Sequence, residues 1–80
     1  MGAELWRQDD TNWALYIDAV HAREIRNIKR SRDWSITATY QKGEEVVGLQ
    51  WRVSNADYRA AKRIEQRINS VPNSVEKPAI

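Results

Sequence analysis

The side chains in this sequence with the clearest capacity for chemistry are cationic. Arg23, Arg26 and Arg30 recur at spacings of three and four, with Lys29 beside them, and Arg59, Lys62, Arg63 and Arg67 repeat the pattern further along. On an α-helix such spacing gathers side chains on one side. A row of cations suits a phosphate backbone, because affinity there comes largely from counterion release. Nine of the thirteen basic residues are Arg, whose planar fork contacts phosphate or carboxylate bidentately. These residues, together with Arg52, are the candidate nucleic-acid contacts. Contacts of this kind position a nucleic acid without reading its sequence. Glu24, Asp57 and Glu65 lie among them, so the same pattern also describes a solvated outer face or a surface for an acidic protein.

Trp6, Tyr16 and Tyr40 form a second candidate set, an interaction surface for a protein partner or a second copy of the chain. Aromatic side chains exposed on a sheet can also stack on unpaired bases.

Catalysis has little to work with. His21 is the sole histidine, and Asp18, three residues earlier, could orient it. No Ser or Cys motif accompanies the pair, and a general base needs a nucleophile to serve. Asp9 and Asp10 read as turn formers rather than cation ligands. There is no calcium-loop spacing, phosphate loop or dinucleotide fingerprint. Without cysteine, neither a disulfide nor a thiolate zinc site can form. The sequence therefore predicts no catalytic residue, no metal and no cofactor: a binding domain, not an enzyme.

The elements that must position these residues follow from hydrophobic periodicity. Eighty residues with a net charge of +2 suffice for one small domain. The charge is uneven. Residues 19–34 carry five cations against two anions, and residues 54–71 four against two. No apolar run approaches the roughly 20 residues needed to span a bilayer, and the first residues lack a signal-peptide layout. A cytoplasmic protein without membrane contact is expected.

Glu4–Gln8 and Trp13–Ile17 read as a first hairpin, and Trp34–Tyr40 with Glu45–Val53 as a second, closed by a turn in which Gly43 takes a positive φ. Trp34, Ile36, Ala38 and Tyr40 alternate onto one face, as do Val47, Leu49, Trp51 and Val53. The opposite face is expected to carry Tyr16, Ser35, Thr37, Thr39, Gln50 and Arg52. A helix over Ala19–Ser31, capped by Asp18, buries Ile25 and Ile28. A second, entered through a capping box at Ser54–Asp57 and running to Asn69, buries Ala61, Ile64 and Ile68. Leu5 or Trp6, with Trp13, Leu15, Ile17 and Trp34, completes the expected core.

The two halves also match each other. Displaced by 36 positions, Leu15 falls on Trp51, Ile17 on Val53, Ile25 on Ala61 and Ile28 on Ile64. The prediction is an α+β two-layer sandwich in the order ββαββα, with an antiparallel sheet and both helices on one face. Residues 1–70 form the domain, built from two ββα halves, and residues 71–80 a flexible tail with two prolines.

Overall fold

The computed structural model describes residues 2–70. The predicted tail, residues 71–80, lies outside them. The elements are β1 (Ala3–Arg7), β2 (Asn12–Asp18), α1 (Ala22–Ser31), β3 (Ser35–Lys42), β4 (Glu45–Ser54) and α2 (Tyr58–Ser70), with a 3-10 turn at Asn55–Asp57 leading into α2. The fold is α+β in the expected ββαββα order. The strands form one antiparallel sheet, ordered β1-β2-β4-β3. No helix among the described residues is long and apolar enough to cross a membrane.

The repeat seen in the sequence organises the sheet. At its centre β2 pairs with β4, setting Leu15 opposite Trp51, Ile17 opposite Leu49 and Trp13 opposite Val53. Leu15 and Trp51 are themselves equivalent under the 36-residue displacement. This register is the one that an approximate twofold axis through the pair would give the two central strands. Helices α1 and α2 begin at equivalent positions, Ala22 and Tyr58.

One buried cluster joins Ala3, Leu15, Ile17, Leu49, Trp51 and Val53 of the strands to Ile25 and Ile28 of α1 and Ala61, Ile64 and Ile68 of α2. Leu15, Ile17, Leu49, Trp51 and Val53 share one sheet face, as alternation requires. Of the four Trp, only Trp51 lies fully inside. Trp13 and Trp34, expected in the core, are half-buried at its margins. There their indole N–H groups reach polar partners. Trp13 donates to Asn55 Oδ1 (2.9 Å) and Trp34 to Asp57 Oδ2 (3.0 Å). Trp13 also meets the tilted Tyr58 ring, centroid to centroid 4.4 Å, and the Arg7 guanidinium lies over it at 4.7 Å. Leu5 packs on the core, whereas Trp6 is exposed.

Strand β3 departs from the regular alternation predicted for it. Ile36 lies opposite Trp51, yet Ala38, two residues on, lies opposite Gln50, the next residue of β4. Thr37 is the extra residue of a β-bulge, and beyond it the two faces exchange. Ala38 and Tyr40 therefore join the Tyr16 face, and Thr39 turns to the Leu49 side. Ile36, on the edge strand, is 44% exposed rather than core. A second irregularity carries the register from Tyr40–Gly48 to Gln41–Val46. It passes over Val47, which is exposed with Val46 towards the hairpin end. Gly43 closes this hairpin at φ 67°, as expected.

Both predicted helix caps are replaced. Helix α1 starts at Ala22, and its N-cap residue, His21, makes no side-chain capping bond. The Asp18 carboxylate instead accepts the Tyr16 hydroxyl (2.7 Å) and the Gly2 amide (3.2 Å). Ser54 likewise makes no side-chain cap, and Asp57 is taken by Trp34. In the first hairpin loop, Asp9 accepts the amides of Thr11 (2.9 Å) and Asn12 (2.8 Å). These bonds, led by the Thr11 amide, hold its carboxyl below the ordinary range. It serves as a turn former, as predicted.

Candidate functional site

Helices α1 and α2 present the cations as their spacing requires. Arg23, Arg26, Lys29 and Arg30 are exposed on α1, and Arg59 and Arg63 on α2. Arg30 donates to Asn27 within its own helix (3.0 Å). Among the described residues, ion pairs engage only Lys62, with Glu65 at 3.1 Å, and Arg67, with Glu24 at 2.8 Å. The cationic surface is thus interrupted at these two points. Arg52 stands apart from the helix cations. It lies on the Tyr16 face of the sheet, between Ala14 and Ser35.

The Glu24–Arg67 pair joins the two helices. Arg67 donates from Nε to Glu24 Oε2 and from Nη2 to Oε1, each at 2.8 Å. This fork, with the Arg67 hydrogen bond as the main cause, lowers the Glu24 carboxyl below its ordinary range and raises the Arg67 guanidinium. The pair borders a groove of about 130 Å³ between the helices, lined by Glu24, Asn27, Ile28, Ser31 and Arg32 from α1 and its C-cap, and by Ala60, Arg63, Ile64 and Arg67 from α2. Under the 36-residue displacement Glu24 matches Ala60, Asn27 matches Arg63, Ile28 matches Ile64 and Ser31 matches Arg67. The groove is thus lined by matched positions of the two halves, the two Ile apolar and the polar positions unmatched.

The other sheet face brings together the three predicted interaction residues. Trp6 lies opposite Ala14, Tyr16 opposite Gln50, and Tyr40 opposite Gly48. Trp6 is 40% and Tyr40 43% exposed. Tyr16 and Tyr40 meet edge to face at 5.4 Å. A polar chain fixes them. Tyr40 donates to Gln50 Oε1 (2.7 Å), Gln50 Nε2 to Thr37 Oγ1 (3.4 Å), and Tyr16 to Asp18. Ala14 and Gln50 are buried on this face, so its own side chains cover much of the sheet.

The hydrogen bond to Asp18, with burial and the Asp18 charge, pushes the Tyr16 phenol from 10.0 up to about 12. The folded protein thus favours the neutral phenol. Its contribution to stability is complete below the ordinary value and is lost as pH rises towards the folded one. Urea midpoints measured between pH about 9 and about 11.5 should fall less steeply in Tyr16→Phe than in the parent. Parallel slopes would show that the bond to Asp18 does not couple folding to ionisation.

The Asp18 carboxylate accepts hydrogen bonds from Tyr16 and Gly2, and no side-chain bond from His21 to it is found among the described residues. Among the described residues, no group of three or more His, Cys, Asp and Glu is placed to hold a metal ion. Sequence reasoning missed Arg32 as a groove residue, because it follows the helical stripe rather than lying within it. It also missed the close approach of Tyr16 to Gly48, although a glycine inside an apolar strand is a signal of just that. No known protein family, curated protein or solved structure matches this chain.

Proposed function

We infer that this protein is a small, non-enzymatic nucleic-acid-binding domain of the cytoplasm. Both helices cover the Leu15 face of the sheet and turn their cations outward. The observation that carries this reading is that Arg23, Arg26, Lys29, Arg30, Arg59 and Arg63 are exposed and outside the ion pairs found among the described residues. Such groups release counterions when they meet phosphates, whatever the base sequence.

The test is fluorescence anisotropy with labelled DNA and RNA duplexes across a salt series. The logarithm of affinity should fall linearly with the logarithm of salt, at about −0.9 per phosphate contacted on duplex DNA. With about six contacts the loss between about 50 and 200 mM salt is about a thousandfold. Replacing Arg23, Arg26, Arg59 and Arg63 together by Gln should remove most low-salt binding and flatten the slope. Absence of binding by the parent protein at low salt rejects the reading.

A second reading, a protein-interaction module or a homodimer formed through the Tyr16 face, is favoured by the exposure of Trp6 and Tyr40 on one surface. Sedimentation equilibrium of the parent and of Trp6→Ala/Tyr40→Ala separates it. A dimer lost in the variant supports it, and a monomer in both removes the homodimer.

A further inference from the structure

We propose that the inter-helix groove is a phosphate-binding notch in which the Glu24 carboxylate occupies the place of the ligand, so that nucleic acid binds here by exchange at Arg67. The proposal rests on the nucleic-acid reading above and concerns the regulation of that surface.

The groove is lined by Arg32, Arg63 and Arg67 and by a single carboxylate residue, Glu24; the Arg32 guanidinium also lies over the Trp34 ring, 5.4 Å from its centroid. Arg67 is held in a two-bond fork by that carboxylate, 2.8 Å on each arm. A phosphodiester offers two oxygens to the same fork. Arg32 and Arg63 have no ion-pair partner among the described residues. With one carboxylate among three arginines the groove carries net positive charge, which a second oxyanion would relieve.

The polar walls are asymmetric. Arg63 and Arg67 stand where α1 has Asn27 and Ser31, and Glu24 stands where α2 has Ala60. The second half supplies Arg63 and Arg67, and the first supplies Arg32 and the competing anion. The Arg67 side chain is 51% exposed and that of Glu24 20%, so an incoming phosphate reaches the guanidinium without opening the core. Glu24 then acts as a positioning residue. It keeps Arg67 extended across the groove and lowers affinity by competing for it.

The experiment is anisotropy titration of a labelled DNA duplex of about 20 base pairs at one low salt concentration. Glu24→Gln should bind about fivefold tighter than the parent, the upper range for release of a partly exposed ion pair. Glu45→Gln, at the β3–β4 hairpin end, changes net charge equally and controls for it. It should match the parent. Glu24→Gln/Arg67→Gln should lose the gain and bind no tighter than the parent. A far-UV melt of each variant verifies folding, and Glu24→Ala stands in if Glu24→Gln does not fold. Glu24→Gln binding no tighter than Glu45→Gln overturns the exchange while leaving the nucleic-acid reading intact. No binding by the parent overturns both.

Discussion

Trp51→Ala is expected to leave a chain without a cooperative unfolding transition at 25 °C. Trp51 is 1% exposed and is the largest fully buried side chain among the described residues. It sits on the central strand pair, opposite Leu15, within a cluster fed by all of β1, β2, β4, α1 and α2. Truncating a buried aromatic to Ala costs about 3–5 kcal/mol, because transfer and cavity terms add. Domains of ordinary size have about 5–15 kcal/mol in total, and a small one lies near the lower end. The substitution therefore consumes most or all of the margin. Urea titration followed by far-UV ellipticity reads the result, with Trp6→Ala as the exposed comparison, expected within about 0.5 kcal/mol of the parent. A sigmoidal Trp51→Ala transition with an unchanged midpoint would contradict the central position assigned to this ring.

Gly48→Ala carries the second largest effect. Gly48 lies in β4, opposite Asp18 on one side and Tyr40 on the other. A Cβ placed there would overlap the ring and hydroxyl of Tyr16. The obstacle is a side chain rather than backbone, so Tyr16 can move, but only by giving up its bond to Asp18 and its edge contact with Tyr40. The expected cost is about 1–3 kcal/mol, the usual range for overpacking. Removing the ring removes the obstacle. Tyr16→Ala/Gly48→Ala should therefore be more stable than the sum of the single effects predicts, by about 1 kcal/mol or more. Simple additivity in the four-membered cycle would show that the two positions do not compete for the same space.

The parts of the fold legible in the sequence were those set by periodicity within one element. Ile25 with Ile28, and Ala61 with Ile64 and Ile68, are buried as their spacing required. The turn at Gly43 also carried directly into the structure, and positions 36 residues apart meet at the centre of the β2–β4 pair. What escaped was decided by partners distant in sequence. Asp18 and Ser54–Asp57 have the local chemistry of helix caps. Yet Asp18 is claimed by a hydroxyl on its own strand and by the Gly2 amide, and Asp57 by an indole 23 residues away. The face exchange in β3 hangs on a bulge at Thr37 with no glycine to announce it, so Ile36 and Tyr40 were set on the same side. The candidate cations were legible as residues but not as an electrostatic surface. Whether Arg67 is free depends on Glu24 of the other helix, and nothing in either helix alone discloses that pairing.

The axial pair at Leu15 and Trp51 bears on how such a domain can be built. Two identical half-chains assembled as a dimer would set each axial residue against its own copy, Leu against Leu or Trp against Trp. The first underfills the space that now holds a Trp ring, and the second crowds it. A covalently fused chain escapes that rule and puts one large and one smaller side chain into a single shared volume. The same release from self-pairing lets a carboxylate on one half clasp a guanidinium on the other without a rotation-related clasp beside it. Within a single chain the two halves are free to differ, and the groove between their helices is asymmetric.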